Sequence, residues 1–237
     1  MKRVTFLTAW ILALVFSVTS CIIDLDGGPY ESDTRTFGQT GFDRLDMGSN
    51  FDITVRQGSS FDIRADGNRR DLDDLDVYVR GGTLYARYRN NLRSRRYETR
   101  FTITMPTLRA VDFSGASNAQ VGRFTDISSL DVRLSGASKA EVDTDADVLF
   151  VDLSGASNLR MRGAGDELRV ELSGASTLDS YDFPVRTARV DLSGASTARI
   201  NVSQRLDAKA SGGSSVRFRG TPTVNSDVSG GSSVRPD

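Results

Sequence analysis

Leu130-Asp131-Val132-Arg133-Leu134-Ser135-Gly136-Ala137-Ser138-Lys139-Ala140-Glu141-Val142 carries the plan of the molecule. Apolar and polar residues alternate up to Leu134, a corner of small residues follows, and alternation resumes at Ala140 and Val142. A period of two marks a half-buried strand rather than a helix. The corner, Ser-Gly-Ala-Ser or Ser-Gly-Gly-Ser, recurs at Ser114, Ser135, Ser154, Ser173, Ser193, Ser211 and Ser229, at successive intervals of 21, 19, 19, 20, 18 and 18 residues. That regularity is the mark of a solenoid, one small unit stacked on itself.

The flanks repeat with the corner. Leu149, Val151 and Leu153, then Leu168, Val170 and Leu172, then Ala188, Val190 and Leu192 hold the positions of Leu130, Val132 and Leu134. The residues between them are charged, except Phe150. Each coil of 18–21 residues therefore reads as strand, tight corner, strand and a variable return, an all-β parallel solenoid. Glycine at the corner permits positive φ, and the small neighbours permit coils to turn over one another. In-register coils about 4.8 Å apart stack the serines into two ladders able to bond one another and free backbone amides, in a rod on the order of 30 Å long. Rows of hydroxyls also occur on ice-binding surfaces, but those need a flat threonine array, so turn satisfaction is the better account of these serines.

The 237 residues are 38% hydrophobic and 26% charged, enough for a packed core. Taking Lys2 and Arg3 from the 30 basic residues leaves 28 against 31 acidic ones beyond Ser20, a net −3. A polyanion binder needs a basic excess, so no nucleic-acid partner is expected.

Lys2 and Arg3, the apolar run Phe6 to Val18, and Val18-Thr19-Ser20-Cys21 resemble a lipoprotein signal peptide over 1–20, with Cys21 as the lipid-attachment residue. The apolar run is short for a membrane span, and Cys21 is the single cysteine. Ile22 after it fits sorting to the outer membrane of a diderm bacterium. Residues 21–41 read as lipidated Cys21 plus a flexible tether, and 42–237 as the folded domain. From Phe42 to Met105 the pattern is β but less regular. Phe51, Ile53 and Val55 precede a Gln57-Gly58-Ser59-Ser60 turn, Phe61, Ile63 and Ala65 follow it, and Val77 to Tyr88 reads as a hairpin on Gly81-Gly82. This part is expected to cap the solenoid, because an open coil end is an exposed strand edge.

Phe42-Asp43-x-Leu45, the Phe51 to Val55 strand, Gly82-x-Leu84, Met105-Pro106-x-Leu108 and Val111-x-Phe113-Ser114-Gly115-Ala116-Ser117 together resemble the bacterial head GIN domain family, named for the head of auto-transporter adhesins. The resemblance spans roughly 42–235. It implies a right-handed parallel β-helix on a secreted or lipid-anchored envelope protein, with no established activity. No translocator follows Pro236-Asp237 here, so self-transport is not expected.

The chain has no histidine, which removes Ser-His-Asp and Cys-His catalysis and every histidine metal site. No catalytic residue, metal or cofactor is expected. The alternative is a carbohydrate-active β-helix enzyme working through the column two residues before each corner: Asp112, Arg133, Asp152, Glu171, Asp191, Lys209 and Asp227. The column also reads as outward polar positions with cross-strand charge pairing. Asp143-Thr144-Asp145-Ala146-Asp147 imitates an EF-hand opening, but Val148 stands where glycine is needed, and a solvated return loop is the better reading. Arg87, Arg89, Arg93, Arg95 and Arg96 interleave with Tyr88 and Tyr97, a candidate patch for an anionic envelope glycan or lipopolysaccharide. Asp71, Asp73, Asp74 and Asp76 just upstream are placed to neutralise it. Self-association through solenoid ends is a further expected contact, since Val228 and Val234 lie in the last coil without a visible cap.

Overall fold

The computed structural model describes residues 29–90, 93 and 95–237; the segment read as a signal peptide, 1–20, and Cys21 lie outside them. Every strand joins one continuous sheet wound into a parallel β-helix, with an antiparallel cap at the N-terminal end.

The regular stack runs from β8 (Ala110–Phe113) and β9 (Asn118–Leu134) through β10 (Lys139–Leu153), β11 (Asn158–Ala164), β12 (Glu167–Leu172), β13 (Thr177–Leu192), β14 (Thr197–Ala210), β15 (Ser215–Arg219), β16 (Thr223–Val228) and β17 (Ser233–Pro236). Pairing is parallel and in register on both sides of the corner, Leu149 on Leu130 before it and Ala140 on Ala119 after it. The inward rows, Leu130, Leu149 and Leu168 among them, are fully buried. Each fully buried leucine contributes about 1.5–3 kcal/mol, which is why the alternation fixes the register. Where coil length varies the pairing slips, between Val142 and Ala146 and again between Ser180 and Thr187. Bulges on the return edge thus absorb the uneven intervals. Asp143 to Asp147 belongs to β10 and is not a loop: Thr144 is buried, and its hydroxyl donates to the Phe124 carbonyl at 3.2 Å.

The seven corner glycines all have positive φ, from 66° to 78°. From the third coil on, the residue after glycine donates its N–H to the glycine carbonyl one coil below, as Ala175 does to Gly155 at 2.7 Å. The second serine of each of the first six corners is buried, and its hydroxyl donates to the carbonyl of the corner's first serine, Ser157 to Ser154 at 2.8 Å being typical. These hydroxyls therefore satisfy a backbone carbonyl of their own turn, where a ladder bonded to backbone amides was expected, because the turn folds that carbonyl back over the side chain.

The N-terminal part both extends the solenoid and caps it. β2 (Arg44–Met47) and β3 (Asp52–Gln57) form a coil directly below β8 and β9. Its corner is Gly48-Ser49-Asn50, with positive φ at Ser49 and Asn50 instead of at glycine. β6 (Thr83–Tyr88) and β7 (Arg100–Met105) stack parallel beneath β2 and β3, a coil placed out of chain order. Antiparallel strands finish the end: β5 (Leu75–Arg80) on β6 through the Gly81-Gly82 turn, β4 (Asp62–Asn68) on β7, and β1 (Ser32–Phe37) on β4. The stretch expected as a tether therefore enters the fold at Ser32, where β1 completes the cap. A chain starting at Pro29 retains every strand among the described residues and the core they bury. A single helical turn, α1 (Arg69–Leu72), is capped by the Asn68 side chain, which accepts from the Arg70 N–H.

Candidate functional site

Period two sends alternate side chains outward, so parallel register turns single polar positions into columns along the rod. The column two residues before the corner runs Asp46, Asp112, Arg133, Asp152, Glu171, Asp191, Lys209 and Asp227, each in register with the next. Sequence reasoning missed Asp46, whose coil has a corner without the repeated motif; only the Leu45 and Met47 alternation hints at it. Among the described residues the side chains of Asp152, Glu171 and Asp191 make no hydrogen bond or ion pair. Cross-strand charge pairing therefore does not occupy the middle of the column; side chains nearly perpendicular to the sheet stand beside one another without converging. Burial raises the Asp112 carboxyl above its ordinary range, Asp46 and Asp152 add to this, and Arg133 opposes it.

The next outward column, two residues earlier on each strand, holds Asp131, Phe150, Arg169 and Arg189 in register. Between the two columns lies a groove of about 590 Å³ bounded by Asp131, Arg133, Phe150, Asp152, Glu167, Arg169, Glu171, Arg189 and Asp191. A smaller hollow lined by Arg189, Asp191, Asp207, Lys209 and Asp227 continues it toward the last coil. Arg169 lies over the Phe150 ring at 5.0 Å and binds Glu167 at 2.7 Å.

The arginine and tyrosine residues of the cap do not form one patch. Arg87 points outward from β6 over the stacked rings of Tyr78 and Tyr85, at 5.9 and 5.2 Å. Tyr88 is buried, its hydroxyl 2.7 Å from Thr99 Oγ1 and its ring under Arg96 at 3.7 Å. Arg96 binds Asp71 and Asp74, and Arg93 lies 3.7 Å from Asp71. Asp71 is only 3% exposed and also accepts the Tyr97 N–H at 3.0 Å. Tyr97 meets Tyr30 edge-on, Arg89 reaches the Asp73 carbonyl at 3.5 Å, and Arg95 is exposed. Asp71 and Asp74 thus hold Arg93 and Arg96 as internal ties of the loop. In β10, Asp143 and Asp145 both face Arg123, and no group of three acidic, histidine or cysteine residues among those described could hold a metal ion.

Residues 41–222 match the family model described as "Putative auto-transporter adhesin, head GIN domain". The chain belongs to this family. Solved structures share this fold. A "putative adhesin" from Bacteroides fragilis NCTC 9343 is 18% identical, with 87% of this chain and 97% of that chain covered at a TM-score of 0.74. A "putative adhesin" from Parabacteroides merdae ATCC 43184 is 14% identical, with 87% and 96% covered at 0.74. A "putative lipid binding protein" from Parabacteroides distasonis ATCC 8503 is 16% identical, with 87% and 96% covered at 0.70. At these identities they establish the fold and nothing finer. No curated protein matches the chain. Among the described residues no helix is long and apolar enough to cross a membrane.

Proposed function

We propose that the protein is an adhesin-like binding module of the bacterial cell envelope, a rod tethered by lipid at Cys21 that works by presenting side chains and not by chemistry. The observation that carries this reading is the outward column from Asp46 to Asp227, held at fixed spacing by hydrogen-bonded strands. Side chains set on a rigid sheet lose little freedom when a ligand arrives, so the surface is preorganised for binding. Membership of the head GIN family supports the adhesin-like role. The anchor is inferred from Val18-Thr19-Ser20-Cys21, and Ile22 favours the outer membrane. A second reading, a carbohydrate-active enzyme, has one observation in its favour: Asp152 and Glu171 are in-register neighbours beside the groove.

The chain from Pro29, probed on arrays of glycans, lipopolysaccharide and lipids, is expected to bind a subset and release no product. Binding to none of them would overturn the module, and product release would favour the enzyme. Full-length protein with Cys21→Ala is expected to leave the membrane fraction; unchanged membrane association would overturn the anchor.

A further inference from the structure

Phe150 breaks the outward polar pattern. At its position the other coils of the stack present Ala110, Asp131, Arg169, Arg189, Asp207 and Asn225, so a large ring is the exception. It contributes nothing to the inward rows, and it lies on the wall of the groove between the two outward columns. The Arg169 guanidinium lies 5.0 Å from the Phe150 ring centroid, so ring and arginine together form one wall of the groove, and such a break in the local pattern is where a functional surface is expected.

The groove's chemistry narrows what it takes. Asp152 and Glu171 are acceptors without a bonded partner among the described residues. A polyanion would meet them, and a polycation would meet Arg133, Arg169 and Arg189. A chain of hydroxyls suits both signs, since each hydroxyl donates to a carboxylate and accepts from a guanidinium. The negative face of an aromatic ring suits the polarised C–H face of a sugar ring. Four rungs, from Asp131 to Asp191, give a length of about 14 Å at the ordinary strand spacing, and the hollow toward Asp227 extends it.

We propose that this groove binds an uncharged oligosaccharide laid along the rod, with Phe150 as the stacking surface and Asp152 and Glu171 accepting its hydroxyls. The assignment rests on the reading of the protein as a binding module, and names its ligand class and its face. A polyol chain of the cell's own envelope and one on a foreign surface share this chemistry. Both are covered by arraying neutral hexose and N-acetylhexosamine oligomers from envelope and from host glycans.

The chain from Pro29 is compared on that array, alongside uronate oligomers, lipids and oligolysine, with Phe150→Ser, with Asp152→Asn plus Glu171→Gln, and with a control, Gln120→Ser plus Arg162→Ser, in the separate hollow on the post-corner face. Thermal melts confirm that each variant is folded. The unaltered chain is expected to bind neutral oligomers, with at least a tenfold loss in both groove variants and none in the control. Undiminished binding by the groove variants overturns the groove and leaves the module standing. Binding to lipids, uronates or oligolysine alone overturns the ligand class, and binding to nothing overturns the module with it.

Discussion

The cap and the stack are both built from strands but held together by different means. In the stack, backbone contacts backbone: a Cβ placed on Gly174 would lie 2.5 Å from the Gly155 carbonyl, and on Gly155 2.4 Å from that of Gly136. In the cap, side chains carry the specificity: Asp71 is buried among Arg93, Arg96 and the Tyr97 amide, and the Phe51 ring meets Tyr88 and Phe101 edge-on at 5.1 and 4.9 Å. A repeat must use an interaction that every coil can make, whereas an end is made once. Identical corners therefore suit the stack, and an individual ion cluster suits the cap.

The largest effect should come from Gly174→Ala. Its φ of +72° and the clash with the coil below together cost about 3 kcal/mol or more, read as a drop in the urea midpoint. A loss below about 1 kcal/mol would mean that the corners are not close-packed. The cap counterpart is Asp71→Asn, which leaves Arg96 facing a neutral amide; about 2 kcal/mol is expected, with faster amide exchange confined to the cap. Exchange that rises equally throughout the rod would show that the two regions unfold as one unit. Gly82→Ala isolates strain from clash, since Gly82 has φ of +78° but nothing nearer to an added Cβ than Asp43 Oδ1 at 3.6 Å. About 1 kcal/mol is expected. Ser157→Ala removes one buried hydroxyl bond of a kind made in six corners and should cost about 1 kcal/mol.

The same difference decides how much was legible in the sequence. Leu168, Val170 and Leu172 repeat Leu149, Val151 and Leu153, so strand, face and register could all be read for the stack. The hairpin at Gly81-Gly82 could be read too, because two consecutive positive-φ residues are local chemistry. The placement of β6 and β7 beneath β2 and β3 could not, since pairing out of chain order leaves no mark on any one strand. β1 was hidden for a related reason: its exposed, charged residues are those that protect an edge strand, and they look like a tether. At the surface, the column was legible from period two and the groove beside it was not. Phe150 was visible as an exception, but its place on the groove wall depends on Asp131 and Arg169, each brought next to it by about one coil of intervening chain.

The smallest effect lies where cap and stack meet. Asp46 belongs to the coil added by the N-terminal part, Asp112 to the first coil of the repeat, and parallel register sets their like charges side by side. Partial burial, then Asp46, raise the Asp112 carboxyl. The folded state therefore holds that proton more tightly than the unfolded chain does. Ionised Asp112 is a penalty, fully present above its folded pKa and gone once the pH falls below the ordinary carboxylate value. Asp112→Asn should accordingly be more stable than the unaltered chain near neutral pH, within about 0.5 kcal/mol, the gap closing on acidification. Asp66, held down by Arg64, and Asp207, held down by Arg205, act oppositely, and their stability is lost as pH falls. Both proteins share those groups, so the difference between their urea midpoints isolates Asp112. A gap independent of pH would remove the electrostatic strain at this junction and leave the Asp46 and Asp112 contact as ordinary packing between two coils.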